Sequence, residues 1–225
     1  MTFLSEPELT TRSLGWCRKL SLDAGRSVHM ENPALLVLDM QNDFLTDRGA
    51  MPVWGGPAIV SRVAGAIEAF RAVGRPVLYS RHLCLGSTDK PPDLGISALI
   101  ADPEGLLREG CVGSEIADRL RPSSDEHVIA KYQYSAFYGT PLELLLRSLK
   151  VRHVVVTGVV TNVCCETTAH DAFFRGFGVV FTIDGTGGLD EASHLASLAT
   201  IRQSYGQVVT VHQVCESVKN MRSQS

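Results

Sequence analysis

The stretch His153–Ala172 reads HVVVTGVVTNVCCETTAHDA. Its first five residues, His153-Val154-Val155-Val156-Thr157, form an apolar, β-branched run of the kind that fills a strand buried on both faces. Gly158 and the polar pair Thr161-Asn162 interrupt the run, and a helix is expected through Thr167, Thr168 and Ala169 to Ala172. Cys164-Cys165 stands where strand gives way to helix. A thiol there has unpaired backbone N–H groups and the positive end of the helix dipole beside it. Both favour the thiolate, the reactive form of cysteine. The competing reading is packing, because free cysteine commonly behaves as a small buried hydrophobe. A reactive role requires a base and an anion binder from elsewhere in the chain.

The strand-then-helix step recurs on both sides of this stretch. Ala34-Leu35-Leu36-Val37-Leu38 is a second continuous apolar run. Between Gly56 and Val73, Ile59, Val60, Val63, Ala66, Ile67 and Phe70 fall at helical spacing, and Gly74 and Pro76 end that helix. Val77-Leu78-Tyr79 and His127-Val128-Ile129-Ala130 read as two more strands. Residues 83–113 between them form a long excursion with DKPPD and DPEG turns, and loops of that length often build sites. Thr140 reads as the N-cap of a helix running to Leu149, with Pro141 at its first position and Glu143 completing a capping box. Beyond the opening stretch come a strand over residues 178–183, a helix over 189–204 and a strand over 207–211. Alternation of this kind predicts an α/β domain, a six-stranded and mostly parallel sheet with helices on both faces. That domain is expected to span residues 33–225. Residues 1–32 are polar and weakly patterned, and read as an N-terminal arm or extension.

Composition excludes several classes. Apolar residues make up 44% and charged residues 20% of 225, with a net charge of −3 and no basic block, so nucleic acid is not an expected partner. No apolar run reaches membrane-spanning length, and the first residues lack the basic start and apolar core of a signal peptide. Six cysteines show neither CxxC nor a zinc-type Cys/His spacing, so reduced thiols in the cytoplasm are expected. No GxGxxG or P-loop follows a strand, which leaves nucleotide binding without support.

In a parallel sheet, ligands bind at the carboxyl ends of the strands. Asp39 follows the first strand, Lys131 the third and Cys164 the fourth. Singly, each has an ordinary explanation: a cap, a surface charge, a core thiol. Jointly they place an acid, a cation and a thiol on one edge.

These three blocks, LLVLDMQNDF, IAKYQYSAFYGTPLE and VTGVVTNVCCETTAHDAFFRG, resemble the cysteine hydrolases of the isochorismatase-like superfamily. That group includes nicotinamidases, N-carbamoylsarcosine amidohydrolases and ureidoacrylate or biuret amidohydrolases. The resemblance covers roughly residues 34–215. It implies a catalytic set of Asp39, Lys131 and Cys164, with Cys165 a core thiol one place on. It also implies a cis peptide at Val159-Val160 and an oxyanion hole made by the N–H groups of Val160 and Cys164. The implied reaction is hydrolysis of a small amide or N-carbamoyl C–N bond through a thioester, and a homo-oligomer (dimer or tetramer) is expected. A vinyl-ether hydrolase of the isochorismatase type and a catalytically silent binding protein are the alternatives. Relatives of the vinyl-ether type work without the cysteine, so an intact set favours amide chemistry.

Nicotinamidases of the superfamily carry an Asp-x-His after the second strand, where this chain reads Tyr79-Ser80-Arg81-His82. No metal and no cofactor are therefore expected. Gln41, Phe44, His82, Tyr134 and Phe137 are the candidate substrate-binding residues, with Trp54 and Arg81 as further candidates. Core packing is the competing role for each aromatic.

Overall fold

The computed structural model describes residues 3–22, 28–84 and 106–222. The DKPPD and DPEG turns lie outside the described residues. Among the described residues, six strands form one sheet: β1 (Pro33–Leu38), β2 (Val77–His82), β3 (His127–Lys131), β4 (His153–Val159), β5 (Gly178–Gly187) and β6 (Gln207–Val209). Their order is β3-β2-β1-β4-β5-β6, and every pairing is parallel. The chain thus builds outward from β1 in one direction, then returns to β4 and builds in the other. The switch point lies between β1 and β4, side by side at the centre.

Among the described residues the α-helices are α1 (Glu6–Lys19), α2 (Asn42–Leu45), α3 (Gly56–Ala72), α4 (Leu142–Ser148), α5 (Glu166–Phe174), α6 (Glu191–Ser204) and α7 (Val211–Arg222). The sheet core is apolar on both faces, since every residue of β1 is buried. Helix α3 turns Ala58, Ile59, Val63, Ala66, Ile67 and Phe70 inward, leaving Val60 half-buried. It stops in a Schellman turn: Gly74 has φ 66°, its N–H reaches Arg71 O, and Arg75 N–H reaches Phe70 O.

The N-terminal extension carries a helix, and two local boundaries need correction. Residues 1–32 hold a 14-residue helix, α1, which buries Leu9 and Trp16 against the chain's own core. Its start is a capping box between Ser5 and Glu8, a signature present in the sequence. Helix α4 begins at Leu142 rather than at Thr140-Pro141, and Glu143 turns to Arg147 and Arg175 instead of back to the cap. The last strand ends at Val209, and a reciprocal cap between Thr210 and Gln213 opens α7, a helix the apolar pattern did not announce.

The glycine at the switch point has a steric reason. Gly158 has φ 115°, and a Cβ there would sit 2.0 Å from Leu38 O. Only a residue without a side chain lets the ends of β1 and β4 lie this close. Those two ends carry Asp39 and Cys164.

Candidate active site

Asp39 follows β1 directly and takes φ 52°, a conformation that Asp tolerates better than most residues. It is fully buried, and both carboxylate oxygens face partners. Ser80 Oγ donates to Oδ1 at 2.6 Å, and Lys131 Nζ lies 2.8 Å from Oδ2. Ser80 also holds the Asp39 backbone: its carbonyl and hydroxyl oxygens each stand 3.2 Å from Asp39 N. Ser80 was not anticipated, although its place in β2, level with Leu38 across the pairing, was a usable signal.

Lys131 ends β3, an edge strand in which Ile129 and Lys131 are buried while Val128 and Ala130 are exposed. The period-two alternation therefore points this lysine inward, and none of its side chain reaches solvent. β3 does not adjoin β1; the side chain reaches past β2. Its ammonium meets Asp39, His82 Nδ1 at 3.0 Å, Gln133 O at 3.1 Å and Cys164 Sγ at 3.4 Å. Burial alone lowers the pKa of this lysine, but its contacts, the Asp39 carboxylate first and the Cys164 sulfur second, outweigh it and raise the value. An ammonium only donates, so His82 accepts through Nδ1 and carries its proton on Nε2.

Cys164 lies in a π turn, Thr161–Cys165, between β4 and α5. π turns occur often at functional sites. The peptide Val159-Val160 before it is cis. A helix end favours a lowered thiol pKa, but burial pushes Cys164 up to about 12, with Asp39 adding to the rise and Lys131 opposing it. Burial at this position therefore favours the thiol over the thiolate. Cys165 is fully buried and its pKa rises well above the usual thiol range, mainly through burial.

The substrate candidates divide. His82 and Tyr134 stand at the site, half-buried, with ring centroids 6.2 Å apart, and the Tyr134 pKa is raised by burial and by Cys164. Gln41 is fully buried and spends its amide on structure, bonding His82 N and O and Ser114 O. Arg81 is tied to Ser114 and Glu115. Together with the Gln41-Ile116 bridge and the Asn42 bonds to Val112 and Glu115, these contacts dock residues 112–116 onto the segment after β1. Phe44 is packed in the core. Phe137 packs on Phe177 and under the Arg175 guanidinium, 5.0 Å from its ring, and Trp54 is covered by Arg12 of α1. The central part of the expected specificity loop lies outside the described residues.

Asp39, His82 and Cys164 each offer a ligand atom within 4.8 Å of the others, a set that a metal ion could use. The Lys131 ammonium contacts all three, and it already fills the cation position of that cluster. The donor set does not fit a divalent ion while Lys131 is charged.

A family model described as the isochorismatase domain matches residues 33–213. Nicotinamidase 3 of Arabidopsis thaliana is 34% identical over 178 residues, spanning 78% of this chain and 83% of its own. Ureidoacrylate amidohydrolase RutB of Enterobacter sp. is 31% identical over 206 residues, 84% of this chain and 90% of its own. Among solved structures, a cysteine hydrolase from Pseudomonas syringae pv. phaseolicola superposes with a TM-score of 0.76 at 28% identity, covering 88% of this chain and 99% of that one. N-carbamoylsarcosine amidase from Thermoplasma acidophilum gives 0.66 at 29% identity, covering 80% and 96%. Fold, matched span and relatives agree: the chain belongs to the isochorismatase family of hydrolases.

Proposed function

We propose that this enzyme cleaves the C–N bond of a small amide or N-carbamoyl compound, with Cys164 as nucleophile, Asp39 as proton shuttle and Lys131 as their shared counter-charge. The observation that carries this reading is one buried ammonium in contact with both the Asp39 carboxylate and the Cys164 sulfur. The amidohydrolase names of the relatives support the bond type.

Asp39 takes the thiol proton as sulfur attacks the carbonyl carbon, which avoids forming a free thiolate in a site that penalises one. Lys131 offsets the negative charge that remains. The oxyanion rests on the N–H groups of Val160 and Cys164; losing one donor in such a hole costs roughly 3–4 kcal/mol. Asp39 returns the proton to nitrogen, the C–N bond breaks, and ammonia or an amine leaves. The product on sulfur is a thioester, or a thiocarbamate from a ureide. Water, deprotonated by Asp39, attacks that carbon; the C–S bond breaks and the thiol is regenerated.

The test is ammonia release from a panel of amides and ureides that includes nicotinamide, ureidoacrylate and N-carbamoylsarcosine, with mass spectrometry for a Cys164 adduct. Turnover with native Cys164 and none with Cys164→Ala supports the proposal. Substantial turnover by Cys164→Ala, or pyruvate release from isochorismate in place of ammonia, would sink it. Among the described residues no helix is long and apolar enough to cross a membrane. Homo-oligomerisation remains part of the proposal, and light scattering tests it.

A further inference from the structure

The turn that carries Cys164 is gripped at both ends by one helix. At its start, Thr161 Oγ1 lies 2.9 Å from His194 Nδ1. At its end, Ser197 Oγ donates to Glu166 Oε2 at 2.6 Å, Glu166 being the residue after Cys165. His194 and Ser197 are three apart on α6, hence on one helix face, and both are buried. The His194 tautomer follows from its other contact: Nε2 lies 3.0 Å from Ile183 O, and a carbonyl only accepts. Nε2 therefore carries the proton, and Nδ1 accepts from the Thr161 hydroxyl. Burial lowers the His194 pKa to about 4, which keeps the ring neutral in this role. On its outer side the imidazole packs on Trp16 of α1, 4.7 Å between centroids, and Trp16 Nε1 donates to Glu191 at the start of α6. The backbone of the turn is tied down as well, since the N–H groups of Val163 and Cys165 both reach Val160 O.

We infer that α6 is a clamp on the nucleophile turn, with His194 acting through Thr161 and Ser197 acting through Glu166 as positioning residues for Cys164. This rests on Cys164 being the nucleophile. The pair does not touch the reacting atoms. It fixes the two backbone ends between which the sulfur is presented to Asp39 and Lys131, and a shift of about 1 Å at such a point costs roughly 10²-fold in rate. The N-terminal helix enters the same chain of contacts, because Trp16 closes the outer face of His194.

Thr161→Val removes the hydroxyl at nearly constant shape, and Thr161→Ser keeps it. The probes are iodoacetamide, with alkylation of Cys164 followed by peptide mass spectrometry, and ammonia release from the best compound of the panel. Thr161→Val is expected to slow both kcat and Cys164 alkylation by about tenfold or more, with KM within about twofold; Thr161→Ser restores both to within about threefold. A bond that serves stability alone moves the melting temperature and leaves both rates native, which overturns the inference. Equal losses in the Val and Ser variants overturn it too. Ser197→Ala makes the same comparison from the other end of the turn if Thr161→Val does not fold, and a native kcat there also overturns it. Activity remaining in Cys164→Ala strikes the nucleophile reading itself; an inert Cys164→Ala beside a native Thr161→Val strikes only the clamp.

Discussion

Replacing Lys131 with Met keeps an unbranched side chain one atom shorter and removes its charge. The ammonium sits 2.8 Å from Asp39 Oδ2, with neither side chain exposed to solvent. At an effective dielectric of about 20 that separation corresponds to roughly 6 kcal/mol of attraction. Desolvation offsets most of this in the native pair, so the pair contributes little net stability. Removing one partner is different, because the other charge stays buried. The expected loss is about 3–5 kcal/mol. For a chain of this size that lowers the melting temperature by roughly 6–20 °C. The diagnostic variant is Asp39→Asn/Lys131→Met, which removes both charges. Asn is chosen because position 39 has φ 52°, which Asn tolerates. The double variant should regain most of the lost stability and remain inactive, while Lys131→Met alone should lose about 10²-fold or more in turnover. Thermal melts and ammonia release measure both. Lys131→Met melting within about 2 °C of the native protein, or the double variant melting no higher than the single, would refute the buried-pair reasoning.

Burial pushes the Cys164 thiol up to about 12, so its alkylation by iodoacetamide should climb about tenfold per pH unit between pH 7 and 10; a plateau near pH 8 contradicts that origin. Turnover should not follow the climb, since Asp39 supplies the base. Cys165→Ala should cost about 1–2 kcal/mol of stability and leave kcat within a few-fold, and an inactive, well-folded Cys165→Ala would transfer the nucleophile assignment. His194 is lowered to about 4 chiefly by burial, with the Glu191 carboxylate, itself paired with Arg12 and Lys19, pulling the other way. A ring held neutral contributes stability above the unfolded value of about 6.5 and loses it as pH falls through about 4, a difference of about 3 kcal/mol. His194→Asn should lack that part of the acid destabilisation in urea melts, and equal drops in both proteins count against it. Because the Lys131 ammonium fills the cation position among Asp39, His82 and Cys164, prolonged treatment with EDTA should leave turnover unchanged, and a loss restored by zinc would overturn that.

Much of this was legible in the sequence because it depends on local regularities. The apolar runs before Asp39 and Cys164 mark strands buried on both faces, and residues that follow such strands gather at one edge of a parallel sheet whatever the loops do. The spacing of Ile59, Val63 and Phe70, with Gly74 behind them, fixes α3 by the same logic. The capping pairs Ser5/Glu8 and Thr210/Gln213 were equally local and show that short signals are easily passed over beside long apolar runs. What only the tertiary structure decided is which groups touch. Lys131 stands two strands from Asp39, and only the tertiary structure brings its ammonium past β2 onto that carboxylate. Gln41, Phe44, Phe137 and Arg81 are site candidates by position, and only the structure names the distant segments that supply their neighbours. The direction of the Cys164 pKa follows from the same cause. Helix ends act locally and favour the thiolate, whereas desolvation depends on everything packed around the sulfur, and here burial outweighs the counter-charge of Lys131.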